Sequence, residues 1–258
     1  MVILKKLNFF WRWFATAFSF IVFGIGGILM PVVVVPILYL LPGNHQKRAH
    51  RGQKVIHYAF RSFIWMMKVM GVLTYEVTGI EKLKDAKLVL ANHPSLLDIV
   101  FLIACVPNAN CVVKSKLLRN PFIRGPVKAA GYIINNDEAD AVITTASQVF
   151  ADGRVVIVFP EGTRTTPSQK IKLKRGAANI AVRTGAEITP VIIGCSPTTL
   201  TKDNPWYHVP DKRMHFTIQV KDNLDVAAAI ADLAPSKAAR NLTNTLSEYF
   251  NREIGVYE

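Results

Sequence analysis

The stretch Leu88-Val89-Leu90-Ala91-Asn92-His93-Pro94-Ser95-Leu96-Leu97-Asp98 decides the fold of this 258-residue chain. Its first four residues are an unbroken apolar run, too short for a helix and without polar alternation, as in a strand buried on both faces. Pro94 disfavours helix for His93 and is suited to open a helix itself. The apolar residues 96–105 then read as that helix. A buried strand passing through a short turn into a helix is half of a βαβ unit, and the alternation recurs downstream. Residues 88–91, 111–113, 132–134, 155–159, 188–193 and 216–220 read as strands. Residues 96–105, 127–130, 138–150, 176–184 and 236–251 read as helices. The predicted fold class is α/β: a mostly parallel mixed sheet flanked by helices. The longest irregular stretch is 198–211, with Pro205, Trp206 and Pro210, and there is no internal repeat.

Ligands of such sheets sit beyond the carboxyl ends of the strands, where His93 lies. Histidine moves protons near neutral pH, and a nearby carboxylate can fix its tautomer and stabilise its charged form. On one continuous helix, residues five apart are about 140° apart around the axis and do not face each other. With His93 outside the helix and Asp98 in its first turns, the two can meet. Ser95 to Asp98 also fits a capping box, S-x-x-D, which needs no chemistry. A second strand end carries Phe159-Pro160-Glu161-Gly162-Thr163-Arg164. Gly162 lets backbone approach a ligand closely. Arg164 offers a planar fork suited to phosphate. Glu161 can pair with Arg164, making a plain charged turn, or hydrogen-bond a hydroxyl.

Net charge is +13, and +9 of it lies in residues 1–75, which hold no Asp or Glu. Attraction to an anionic surface therefore belongs mainly to the N-terminal third. Residues 13–46 contain no Lys, Arg, Asp or Glu over 34 positions, ample for one membrane span of about 20 residues. Gly24, Gly26, Gly27 and Pro31 interrupt the middle and predict two short halves. Lys5, Lys6 and Arg12 precede the stretch, and Lys47, Arg48, Arg51 and Lys54 follow it. Positive flanks on both sides place both ends on the cytoplasmic face and favour a re-entrant hairpin, with Trp11 and Trp13 at the interface. A signal peptide would have a shorter apolar part and a small-residue cleavage site, which is not found. Residues 55–73 read as an interfacial helix, Lys54, His57, Arg61 and Lys68 forming a basic stripe. An ordinary packed helix with a solvated face gives the same pattern. The domain division is 1–74, membrane-associated helices, and 75–258, the α/β domain. Cys105, Cys111 and Cys195 form no CxxC pair and read as reduced, buried thiols. The six histidines show no ligand spacing, so no metal is implied.

Two of these elements together resemble the signature of the glycerolipid acyltransferases, in particular the bacterial 1-acyl-sn-glycerol-3-phosphate acyltransferase type. The motif N-H, four residues, D matches Asn92-His93 and Asp98, and F-P-E-G-T-R matches Phe159 to Arg164. The resemblance covers about residues 75–220, with the N-terminal hairpin in the family style. A further family motif, K-x-x-L-x-x-x-P-x-x-G, is met by Lys114, Leu117 and Pro121, with Arg124 where glycine should stand and Gly125 after it. Gly131-Tyr132-Ile133-Ile134 starts the next family strand, but Asn135-Asn136-Asp137 replaces its usual arginine. Lys114, Lys116, Arg119, Arg124 or Lys128 are the available substitutes. Ile188-Thr189-Pro190-Val191-Ile192 matches a proline-containing family strand.

The resemblance implies transfer of a fatty acyl group from a thioester, acyl-CoA or acyl carrier protein, to a lysolipid hydroxyl. His93 would be the general base and Asp98 its orienting partner. Glu161, Gly162, Thr163, Arg164 and Lys114 would bind substrate. Amides near Gly162 or Ser95 would hold the oxyanion, and no cofactor is implied. The implied location is the inner membrane, catalytic domain on the cytoplasmic side. Residues 170–175, Lys-Ile-Lys-Leu-Lys-Arg, are either a donor-docking strip or a lysine-protected strand edge. Rival classes are a hydrolase using water, although no G-x-S-x-G elbow is present, and a non-catalytic lipid-binding protein. A nucleic-acid binder is disfavoured, since the charge surrounds apolar sequence and no recognition motif occurs.

Overall fold

The computed structural model describes residues 2–136, 138–166, 169–202, 204–205, 207–227 and 233–255. Asp137 and Trp206, singled out in the sequence, lie outside the described residues. Among the described residues, seven strands form one sheet in the order β1-β7-β6-β2-β5-β3-β4. They are β1 (Leu73–Thr78), β2 (Leu88–Ala91), β3 (Ala109–Lys114), β4 (Ile133–Asn135), β5 (Val155–Val158), β6 (Ile188–Ser196) and β7 (Met214–Val220). All pairings are parallel except β6 with β7. The mostly parallel mixed sheet is therefore as predicted. β1 had no counterpart among the predicted strands; its half-polar sequence, Leu-Thr-Tyr-Glu-Val-Thr, marks an edge strand with one wet face.

Helices cover both faces. Val89, Ala91, Ile157, Val191 and Ile193 point to one face, onto α3 (His45–Val69), α4 (Asp98–Cys105) and α5 (Pro121–Ala129). Leu88, Leu90, Val156, Val158 and Ile192 point to the other, onto α6 (Ala139–Ala151), α7 (Gly176–Thr184) and α8 (Pro235–Gly255). Burial on both faces is why β2 and β5 read as uninterrupted apolar runs.

The N-terminal region corrects the sequence expectation. The apolar stretch is not broken at residues 24–31. α1 (Val2–Leu29), a π-helical segment (Met30–Val34) and α2 (Val35–Leu40) form one helical run. The π segment accommodates Pro31, and Gly27 serves packing instead of breaking the helix. A Cβ on Gly27 would stand 2.7 Å from the Phe122 carbonyl oxygen, and one on Gly125 would stand 2.5 Å from Pro31 Cδ. A helical hairpin exists, but its turn is at residues 41–44 and its second arm is α3. Trp11 Nε1 donates to the Met70 carbonyl, Phe23 packs on Phe60 and Phe63, and Arg48 lies over Tyr39. These pairings make the arms antiparallel.

The predicted basic stripe on residues 55–73 also changes. His57 is buried, with its Nδ1 2.8 Å from the Ile103 carbonyl oxygen, so it belongs to the α3–α4 contact. Ile56, Phe63, Ile64 and Met67 share that buried face, while Lys54, Arg61 and Lys68 stay exposed. The helix starts at His45, and Leu73 already belongs to β1.

Candidate active site

β2 ends beside β6 and β5, and the side chain of Asn92 extends the β2–β6 pairing past the last strand residue. Its amide donates to the Ile193 carbonyl at 2.8 Å and accepts from the Ile193 N–H at 2.7 Å. This clamp fixes the backbone from which His93 leaves. Pro94 turns the chain, and α4 begins four residues later at Asp98. The turn closes the gap that a continuous helix would leave: His93 Nδ1 lies 2.8 Å from Asp98 Oδ2. The same oxygen accepts the Ser95 N–H at 2.7 Å. Capping and pairing are thus one arrangement, with Asp98 accepting both bonds.

Asp98 is fully buried, and desolvation pushes its carboxyl from 3.8 up to about 6, against the pull of the His93 and Ser95 bonds and the Arg164 charge. It is therefore ionised at neutral pH. A carboxylate only accepts hydrogen bonds, so the proton between the pair sits on Nδ1 and the Nε2 lone pair of a neutral ring is left available. The His93 ring stacks on Phe159, centroids 4.2 Å apart, which holds its plane.

The 159–165 loop supports His93 from its backbone side. Glu161 Oε1 accepts the His93 N–H at 3.0 Å and the Thr165 hydroxyl at 2.7 Å. Thr165 Oγ1 accepts the same N–H at 3.1 Å, and the Thr165 N–H donates to the His93 carbonyl at 2.7 Å. Burial raises the Glu161 carboxyl above its ordinary value. Of the two sequence alternatives for Glu161, the hydroxyl bond is found, to Thr165 of the same chain. Thr165 itself was missed: a threonine in a polar loop gives no signal of its own.

Arg164 departs further from expectation. Its Nη1 donates to the carbonyls of Leu200 and Thr201, each at 2.7 Å. Leu200 has a left-handed backbone, φ 52°, and its carbonyl also accepts the Leu96 N–H. Two of the five guanidinium donors are thus committed to tying the loop after β6 to the loop after β5, while the Leu96 bond ties it to the approach to α4. The amides proposed for the oxyanion are committed as well, Ser95 N–H to Asp98 and Gly162 N–H to Phe159 O.

Gly162 has φ 65°, and a Cβ there would stand 3.2 Å from Lys174 Cδ and Cε. Lys174 crosses this glycine and joins Lys114 and Lys116 around a cavity of ≈ 340 Å³ at the carboxyl ends of β3 and β5. Lys114 and Gly162 are therefore brought together, and Thr163 is exposed on the same loop. Lys128 lines a different cavity, at the hairpin turn. Residues 170–175 are not a sheet edge: Ile171 is buried and paired through its backbone with Asn251, leaving the lysines outward. Burial pushes the thiols of Cys105, Cys111 and Cys195 up to about 11, 12 and 12, so all three are protonated at neutral pH. Among the described residues no cluster of His, Cys, Asp and Glu suits a metal ion.

The fold and the pair define a class, an α/β sheet covered on both faces with a histidine–carboxylate couple at a strand end. Residues 74–194 match the family model described as Acyltransferase. It is 32% identical over 150 residues to the 1-acyl-sn-glycerol-3-phosphate acyltransferase of Saccharomyces cerevisiae, covering 55% of this chain and 50% of the yeast protein. It is 28% identical over 137 residues to the Pseudomonas aeruginosa protein of the same name, covering 51% and 53%. The chain thus spans about half the length of the curated relatives it matches. The crystal structure of the 1-acyl-sn-glycerophosphate acyltransferase of Thermotoga maritima superposes with a TM-score of 0.68 at 19% identity, over 98% of this chain and 97% of that one, and shares its fold.

Proposed function

We propose that the protein is a membrane-bound O-acyltransferase. It moves a fatty acyl group from a thioester, acyl-CoA or acyl carrier protein, to the hydroxyl of a lysophospholipid such as 1-acylglycerol 3-phosphate. The observation that carries this reading is the 2.8 Å His93–Asp98 pair at the end of β2, inside the matched segment. His93 Nε2 takes the proton of the acceptor hydroxyl as its oxygen attacks the thioester carbonyl, an effect typically worth about 10²–10⁴-fold. Asp98 holds the ring and stabilises the imidazolium; the thiol leaves with the proton returned by His93. Glu161 and Thr165 position His93. Lys114, with Thr163 and the remaining donors of Arg164, faces the substrate phosphates.

Membrane association fits the same reading. The helix from Lys6 to Leu40 is long and apolar enough to cross a bilayer, and only 17% of its most apolar window is buried within the protein. Phe10, Phe14, Ile21, Ile25 and Leu40 are among its large exposed side chains. A lipid surface is the natural cover for such a face. The proposed location is the inner membrane, with the α/β domain on the cytoplasmic side. Division at residue 74 separates the anchor from the catalytic part, although the two are packed together.

The test uses the full chain in detergent with acyl-CoA or acyl carrier protein and a panel of lysolipids. A diacylated product is expected, and His93→Ala should abolish it while leaving the melting temperature unchanged. Full activity in that variant, or release of free fatty acid with no acylated lipid, would sink the proposal. Comparing 1-acylglycerol 3-phosphate with acceptors lacking phosphate tests the head-group assignment: equal rates would remove phosphate recognition.

A further inference from the structure

A second cavity, ≈ 150 Å³, lies at the hairpin turn, lined by Val35, Leu38 and Tyr39 of α2, His45 and Arg48 of α3, and Lys128 of α5. It is remote in the fold from His93. Its helix starts near the amino end of β5, where Gln46 hydrogen-bonds Asp152, three residues before the strand. The catalytic pair stands at the carboxyl ends.

The cavity has an unusual electrostatic balance. On its wall, Arg48 Nε is buried without a hydrogen-bond partner among the described residues, the guanidinium lying over the Tyr39 ring 4.8 Å from its centroid. Arg51 Nη1, on the same helix but not on the cavity wall, is likewise buried without a hydrogen-bond partner among the described residues, 3.6 Å from where a Cβ on Gly43 would stand. Residues 1–75 contain no carboxylate. Asp152, the acid at this end of α3, is already paired with Arg154 at 2.6 Å. A buried charged donor without a partner is costly, and an anion accepting from it removes that cost. The other wall is apolar and continues into the exposed Ile37, Leu40 and Leu41. The occupant must therefore be anionic on one side and apolar on the other.

We infer that this cavity binds the phosphate head group of an anionic bilayer phospholipid, with the acyl chains along the α2 face. The site would fix the depth and tilt of the hairpin in the membrane. It rests on the membrane association proposed above, but not on acyl transfer.

Binding is read on the full chain in uncharged detergent by thermal shift, with dihexanoyl-phosphatidylglycerol, dihexanoyl-phosphatidylcholine and inorganic phosphate as probes. The glycerol lipid should raise the melting temperature at concentrations where the choline lipid and inorganic phosphate do not. Arg48→Gln with Lys128→Gln should weaken that response about tenfold or more, the size expected for lost charge-assisted bonds. Lys54→Gln with Arg61→Gln removes the same charge from exposed positions of α3 and should leave it intact. Lys128→Glu, on an exposed side chain, serves if the double variant does not fold. An unchanged response in the cavity variants, or an equal loss in the control, means diffuse charge attraction and overturns the site. Inorganic phosphate acting as well as the lipid makes it a free-anion site and overturns the lipid assignment. Loss of acyl transfer with lipid binding intact disproves only the proposed activity, and loss of lipid binding alone disproves only this site.

Discussion

The carboxyl of Asp98 is fully buried, and its Oδ1 has no hydrogen-bond partner among the described residues. Holding a charge there works against folding while it serves the histidine. Between about pH 4 and 6 the folded state keeps a proton on Asp98 that the unfolded state has released, since its value is raised from 3.8 to about 6. This contribution therefore makes stability fall as pH rises through that window. Asp98→Asn removes the charge. Relative to the native chain it should gain stability between pH 4 and 6, in thermal melts run at both ends. Its activity should fall by about 10²–10⁴-fold, since the amide no longer fixes the tautomer. Native activity should rise across the same pH window as Asp98 ionises. A lower melting temperature for Asp98→Asn at pH 7 would show that the carboxylate is net stabilising. Thr165→Val tests the backbone support of His93. It deletes the hydroxyl held by Glu161 at 2.7 Å, so kcat should drop roughly tenfold with KM little changed.

At the scale of elements, small residues set how closely helices approach. Gly52 of α3 faces the end of α5, where an added Cβ would lie 2.3 Å from the Ala129 carbonyl oxygen. Gly27 of α1 meets α5 in the same way through Phe122. Gly52→Ala and Gly27→Ala should each cost about 1–3 kcal/mol, read from denaturant or thermal midpoints, because backbone must move. Gly26→Ala is the control, with nothing within 4 Å of its added Cβ. It should be neutral or slightly stabilising, because alanine favours helix. The loop after β6 is fixed by polar contacts instead: Arg164 bonds Leu200 and Thr201, and the buried Arg12 of α1 donates to the carbonyls of Pro210 and Asp211. Both arginines hold irregular backbone whose own ladder has ended.

For the whole molecule, the apolar N-terminal hairpin and the sheet that carries the His93–Asp98 pair are one packed unit. α1 and α3 share a hydrophobic cluster with the inner face of the sheet, so the hairpin is part of the core and not a detachable tether. Its outward face is separable by mutation. Phe14, Ile21 and Ile25 are 54%, 60% and 50% exposed. Replacing all three with serine should reduce co-flotation with lipid vesicles at least tenfold, given about 1.5–3 kcal/mol per large apolar side chain buried. The melting temperature in detergent should hardly change. Undiminished flotation would place the membrane contact elsewhere.

Strand and helix order, the two-faced burial of β2 and β5, and the two strand-end motifs were legible from residue type and spacing, because buried strands and proline-opened helices are local in cause. The hairpin turn was not, since glycine and proline signal a break when a helix is considered alone. Whether they break it depends on Phe122 and Pro31 packing against each other's helices. His57 looked like part of a charged stripe for the same reason, and only the approach of α4 buried it. The sequence by itself determined that a histidine and a carboxylate stand at the mouth of a helix. The tertiary structure decided that they meet at 2.8 Å, that Glu161 and Thr165 hold the histidine backbone, and that Arg164 is partly engaged by carbonyls of a loop some 36 residues away. Those are contacts between distant segments, and a periodic pattern along one segment carries no information about what will be folded against it.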